Sequence, residues 1–186
     1  MEESVAGQEL RERLIVAGIS EIEAHGLADF SLRRVASACG ASCAAPYKHF
    51  KNKDALFLEI LRFINRQWGL LEEQITALYA ADPRRELTEL CMANVRFRVA
   101  NPHFRAVLMS GGQSLSAAHR LEIGRSTERI SALAAAVFGE DAPQKQYMLQ
   151  ALIYGTALLI GNGDYENTPE MLQTVRSAIE NITLVA

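Results

Sequence analysis

No stretch of this 186-residue chain alternates apolar and polar residues cleanly enough to read as a strand. Its apolar residues recur at helical spacing nearly everywhere. An all-α fold is therefore expected, and the helix starts are spelled out locally. Asp82-Pro83, Asn101-Pro102 and Thr168-Pro169 each put a side-chain acceptor before a proline. The acceptor caps free backbone N–H groups, and proline suits the first helical position because its missing N–H has no partner there. Asn52 reads as a further cap, with Asp54 placed at the positive helix end. Gly26, Gly40 and the run Gly161-Asn162-Gly163 read as stops. The spacing predicts about nine helices, over 8–24, 31–39, 43–49, 53–79, 83–100, 102–109, 115–138, 143–160 and 169–183. In the first, Leu10, Leu14, Ile15, Gly18, Ile19 and Ile22 share a face. Gly69 is the one point where the fourth would bend or break.

Length allows one domain or two small ones closely joined. A hydrophobic share of 49% excludes wholesale disorder. Three cysteines, Cys39, Cys43 and Cys91, argue against a disulfide framework and fit a reducing compartment. Cys39 reads as a small buried hydrophobe. The acidic start Met1-Glu2-Glu3-Ser4 lacks the apolar run of a secretory leader. The longest apolar stretch, 147–161, falls short of a bilayer span. The expectation is a soluble, cytoplasmic protein that does not enter a membrane.

The formal net charge of -3 conceals a segregation. Residues 1–29 hold seven acids and two arginines, a net of -5. Residues 30–53 hold Arg33, Arg34, Lys48, Lys51 and Lys53 and no acid, a net of +5. Residues 54–186 return to -3. Phosphate contact needs local positive charge and not a basic whole. The basic segment also has a shape: a short helix, then Ala38-Cys39-Gly40-Ala41-Ser42, then a second short helix. Gly40 can take the left-handed conformation that ends a helix, and Ser42 offers its hydroxyl as the next cap. A helix-turn-helix of this kind places its second helix in the major groove of DNA. The small run Cys43-Ala44-Ala45 allows close approach, and small apolar groups can meet a thymine methyl. With Ser42 as the cap, Pro46 falls at the end of the first turn and the helix begins near residue 43.

Residues 10–60 resemble the TetR family of transcriptional regulators. The matching string is Arg13-Leu14-Ile15-Val16-Ala17-Gly18, Gly26, Ser31-Leu32-Arg33-Arg34-Val35-Ala36, Gly40-Ala41-Ser42, Tyr47-Lys48-His49-Phe50 and Asn52-Lys53-Asp54-Ala55-Leu56. The resemblance implies an N-terminal three-helix helix-turn-helix domain, residues 1–53. It also implies a helical effector-binding and dimerisation domain, residues 54–186. Ser31 and Ser42 match helix starts that reach phosphate, and Arg33 a position that contacts base or phosphate. Cys43, Ala44 and Ala45 match the base-facing start of the recognition helix. Tyr47 and His49 match phosphate-facing positions, Lys53 matches a phosphate-holding lysine at the next helix start, and Lys48 of the basic segment is a further DNA-binding candidate. A helix N-terminus attracts anions in any case. The sequence departs from the family's pattern at Ala44, Pro46 and Cys39. The residues leave other roles open: Tyr47 and Phe50 as packing, His49 as a structural hydrogen-bonder, Cys43 as a reactive thiol near a positive helix end.

Two features of the remaining chain have two readings each. The stretch 147–161 is apolar on nearly every side, with Ala151, Gly155 and Ala157 permitting close approach. The last helix carries Met171, Leu172, Val175, Ile179 and Ile182 at helical spacing. These are either ordinary core or a dimer interface, and the resemblance implies a homodimer through the last two helices. Trp68, Met92, Phe97, Phe104, Met109, His119, Tyr147 and Tyr154 either pack a core or line a pocket for a small effector. The chain shows no Gly-rich phosphate loop, nucleophile elbow or paired metal-binding histidines, so neither an enzyme nor a cofactor or metal is expected. The leading reading is a dimeric, effector-responsive regulator on a palindromic double-stranded DNA operator, most simply a repressor. The alternative is a ligand-binding or interaction module of the same fold without sequence-specific DNA binding.

Overall fold

The computed structural model describes residues 5–101 and 116–184, with side chains from Gly7 onward. Among the described residues the secondary structure is helical throughout. The helices are α1 (Val5–His25), α2 (Leu32–Ala38), α3 (Pro46–His49), α4 (Lys53–Tyr79), α5 (Pro83–Ala100), α6 (Ala117–Arg125), α7 (Glu128–Phe138), α8 (Ala142–Asn162) and α9 (Pro169–Thr183). A 3-10 turn, Gly139–Asp141, leads into α8.

The local start signals act as the residues require. Asp82 Oδ1 accepts the Arg85 N–H at 3.1 Å. Asn52 Oδ1 accepts from Ala55 N at 2.9 Å, and Thr168 Oγ1 from Met171 N at 3.2 Å. Gly69 lies inside an unbroken α4. The helix expected over 102–109 lies outside the described residues.

Two expectations are corrected. The third helix begins at Pro46, not near residue 43. Cys43 and Ala44 form a turn in which the Ala45 N–H bonds the Ser42 carbonyl at 2.9 Å, and no side chain caps the helix. Proline's fixed φ and absent N–H suit the first helical position better than a site one turn in, and that preference overrides the Ser42 cap. The single helix expected over 115–138 is two, parted at Ser126-Thr127. Asn94 Nδ2 donates to the Ser126 carbonyl at 2.7 Å, and Arg98 Nη2 to the Ser126 hydroxyl at 2.8 Å. Those bonds from α5 draw Ser126 out of a helical ladder.

The chain divides into two compact units. The first holds the described residues up to Arg66 together with 116–123. Its core is Leu14, Ile15, Ile22, Val35, Ala36, Phe50, Leu56, Ile60 and Leu61. At Gly18 α1 passes close to α4: a Cβ there would sit 2.7 Å from Ile60 Cδ1, so that methyl would have to shift. The second unit holds Gln67 through 101 and 124–184. Here α5 packs against α7, α8 and α9. Trp68, Leu87, Leu90, Met92, Ile130, Leu149, Ile153, Val175 and Ile179 share its core. Glu86, 2% exposed, ties three helices of this unit: it accepts from Thr76 of α4 at 2.9 Å and from Arg129 of α7 at 2.8 Å.

Candidate nucleic-acid interface

The turn between α2 and α3 is built by the chain ends it joins. Gly40 has φ +64°, and the Ala41 N–H reaches back to the Ala36 carbonyl at 2.9 Å while Gly40 N bonds Ser37 O at 2.9 Å. This pair of bonds satisfies the last carbonyls of α2 and turns the chain sharply, as a left-handed glycine after a helix allows. Val35 and Ala36 of α2 and Pro46 and Phe50 around α3 are buried. The other side of the pair is thus left at the surface.

That surface holds most of the expected residues. Arg33, Ser42, Cys43, Ala44, Tyr47, Lys48, Lys51 and Lys53 are exposed, Tyr47 at 61%. Among the described residues, Arg33, Lys48, Lys51 and Lys53 enter no ion pair. Lys53 opens α4, beside the Asn52 cap. Ser31 is half-buried and caps α2, its Oγ accepting from Arg34 N at 3.4 Å. His49 is half-buried with its ring 6.2 Å from that of Phe50. Ala45 is buried, so its methyl faces inward while Cys43 and Ala44 face out. Cys39 is buried, and its carbonyl accepts from Arg13 Nη2. Burial pushes the Cys39 thiol up, only partly opposed by Arg13.

Residues 14–60, the stretch that builds this surface, match the tetR family of bacterial regulatory proteins. Over that stretch the chain is similar to the TetR family. A curated relative from Escherichia coli K12, described as a probable acrEF/envCD operon repressor, is 30% identical over 98 residues. That match covers 53% of this chain and 44% of the relative, so it spans less than half of the relative's length. A solved transcriptional regulator from Rhodococcus sp. Rha1 superposes with a TM-score of 0.74 at 24% identity, over 94% of this chain and 95% of that one. FadR from Bacillus subtilis, solved in complex with stearoyl-CoA, superposes with a TM-score of 0.70 at 13% identity, over 92% and 97%. At these identities the two likenesses show a shared fold.

The residues named as pocket or core fall in several places. Trp68 and Met92 are buried in the second unit, with Phe97 tilted against Trp68 at 5.4 Å. Tyr154 lies in the same unit, its ring centroid 4.4 Å from the Arg98 guanidinium carbon. Tyr147 is 73% exposed. His119 belongs to the first unit, stacked on Phe57 at 5.1 Å. Phe104 and Met109 lie outside the described residues.

Sequence reasoning missed the polar group at the heart of the second unit. Arg98, 4% exposed, donates through Nε to Asn94 Oδ1 at 2.6 Å and through Nη2 to Ser126 Oγ. Burial lowers its pKa from the ordinary arginine value. The signal was present: Leu87, Cys91, Asn94 and Arg98 repeat at helical spacing, so the two polar residues continue the buried row of α5. Among the described residues no cluster of side chains could hold a metal ion. No described helix is long and apolar enough to cross a membrane.

Proposed function

We propose that this chain is a TetR-family transcriptional repressor that binds a palindromic operator as a homodimer and is released by a small-molecule effector. The observation that carries the reading is the helix-turn-helix segment, where Arg33, Lys48, Lys51 and Lys53 are exposed together with the small side chains of Cys43 and Ala44. Cations placed so can neutralise phosphate while the turn leading into α3 approaches base edges. The E. coli relative's description as an operon repressor supports the sign of regulation.

The homodimer is supported by α8. One side carries buried Leu149, Ile153 and Thr156. Another presents Tyr147, Met148, Ala151 and Leu159 to solvent in a single chain. An apolar row of this kind is costly to leave wet, and a second copy's α8 and α9 would cover it. Two recognition helices would then enter successive major grooves, about 34–36 Å apart. The effector site is proposed for the second unit among Trp68, Phe97 and Tyr154, where the Tyr154 ring lies 4.4 Å from the Arg98 guanidinium carbon. The effector would lower DNA affinity only by as much as it prefers the non-binding state.

The test is a mobility shift with the DNA upstream of the protein's own gene. The reading expects a salt-sensitive, sequence-dependent shift that Arg33→Ala and Lys53→Ala weaken. A shift insensitive to both changes would argue for the alternative module without specific DNA recognition.

A further inference from the structure

The basic segment 30–53 contains five cations, but one of them is already engaged. Arg34 Nε donates to Glu21 Oε1 at 2.8 Å, Nη2 lies 2.5 Å from the same oxygen, and Nη2 also donates to the Asp29 carbonyl. The Glu21 side chain is 7% exposed and accepts the Ser31 N–H at 3.1 Å as well. His25 Nε2 stands 3.8 Å from its other oxygen. Burial disfavours the Glu21 carboxylate, yet Arg34, the Ser31 N–H and His25 together hold its pKa below the usual range. Arg33, Lys48, Lys51 and Lys53 are held by no such partner among the described residues.

We infer that Glu21 is a positioning residue that sets the electrostatic footprint of this DNA-binding domain by keeping Arg34 off the phosphate backbone. The inference rests on the DNA-binding reading and adds a residue of α1 to it. For Arg34 to reach phosphate it would have to leave a buried carboxylate that would keep only the Ser31 N–H at 3.1 Å and His25 Nε2 at 3.8 Å. Breaking such a pair strands a charge in a poorly solvated site. A phosphate contact at the surface is solvated and screened by salt, so it cannot compensate. Arg34 therefore stays with Glu21 when DNA binds, and each subunit offers phosphate four cations from this segment instead of five. The consequence is a shallower dependence on salt than the sequence's charge count implies.

The experiment measures affinity for a labelled random-sequence duplex of about 30 base pairs, at salt from about 50 to 200 mM, where each neutralised phosphate contributes about -0.9 to the slope of log K against log salt. Random sequence makes the readout electrostatic and independent of any operator. Arg34→Gln should leave the slope at the unaltered chain's value while lowering the melting temperature. Lys53→Gln should flatten the slope by about 0.9 per subunit. Glu21→Gln, which keeps the shape and the acceptor for Ser31 N–H, should free Arg34 and steepen the slope by up to about the same amount. The uncharged pair Glu21→Gln with Arg34→Gln should return it to the starting value, and this isosteric pair guards against misfolding of either single variant. A flattened slope in Arg34→Gln, or an unchanged one in Glu21→Gln, overturns the inference. Absence of any salt-dependent binding by the unaltered chain would instead overturn the DNA-binding reading, and is recorded before any variant is compared.

Discussion

His119 of α6 stacks on Phe57 of α4, with ring centroids 5.1 Å apart and planes 22° from parallel. Its Nε2 lies 3.1 Å from the Asp54 carbonyl oxygen and its Nδ1 2.7 Å from the Ser116 hydroxyl. A carbonyl oxygen only accepts, so Nε2 carries a proton, and in the neutral ring Nδ1 accepts from Ser116. This contact holds the first turn of α4, next to Lys53. His119→Ala removes a buried ring and two hydrogen bonds, and should cost about 2–3 kcal/mol in urea unfolding. A change within a few tenths would mean that the stack contributes nothing.

Gly18 and Ile60 make a sharper test, because the sign of the effect changes with context. In a helix interior alanine is favoured over glycine by about 1 kcal/mol. Here a Cβ would stand 2.7 Å from Ile60 Cδ1, so Gly18→Ala should be neutral or destabilising by about 1–2 kcal/mol. Ile60→Val removes that Cδ1 atom. In its background Gly18→Ala should become stabilising, by up to about 1 kcal/mol. Purely additive effects in the double-mutant cycle would contradict the close approach.

Two carboxylates of the second unit should respond oppositely to neutralisation. Glu89 receives both Nη atoms of Arg176 at 2.8 Å, and that pairing outweighs burial and holds its pKa below the usual range. A depressed folded pKa means that the unfolded chain binds protons first as pH falls. The stabilisation is therefore complete above the usual carboxylate range and is lost as pH drops through the lower folded value. Glu72 is pushed up by burial, despite the hydrogen bond from Trp68 Nε1 at 2.9 Å. Its charged form opposes folding at pH above the raised value. At neutral pH Glu89→Gln should destabilise by about 1–2 kcal/mol. Glu72→Gln, which still accepts from Trp68, should be neutral or gain about a few tenths. Thermal melts between acid and neutral pH would show the Glu89 difference vanish in acid.

The exposed row of α8 predicts assembly. Replacing Met148 and Leu159 by aspartate puts charge on a surface that is wet in one chain, so the fold should lose no more than about 0.5 kcal/mol per site. The proposed homodimer should nonetheless fall to monomer in sedimentation velocity. An unchanged dimer would place the interface elsewhere.

The parts of this fold that were legible beforehand are those decided within a few residues. Asp82, Thr168 and Asn52 each cap the helix they precede, and Gly40 turns the chain in the left-handed conformation its place suggests. The start of α3 was misjudged because two local signals compete there, and the Pro46 ring outweighs the Ser42 hydroxyl. The break at Ser126 was not legible, since Asn94 and Arg98 cause it from about thirty positions away. The Glu21–Arg34 pair is hidden for a related reason. Counting charge along the chain assigns Arg34 to a basic surface, while folding brings it to a carboxylate 13 positions earlier. Exposure of Tyr147 was equally out of reach, because helical spacing alone does not say which side of α8 meets its own chain.

The most direct measurement is selection of bound duplexes from a random DNA pool by the unaltered protein, followed by footprinting. A dimeric regulator of this kind should enrich an inverted repeat whose half-sites are centred about 10 base pairs, or one helical turn, apart. Both half-sites should be protected together, and Arg33→Ala should abolish the enrichment. No enriched sequence, or enrichment of a lone half-site occupied by one chain, would contradict the dimeric reading.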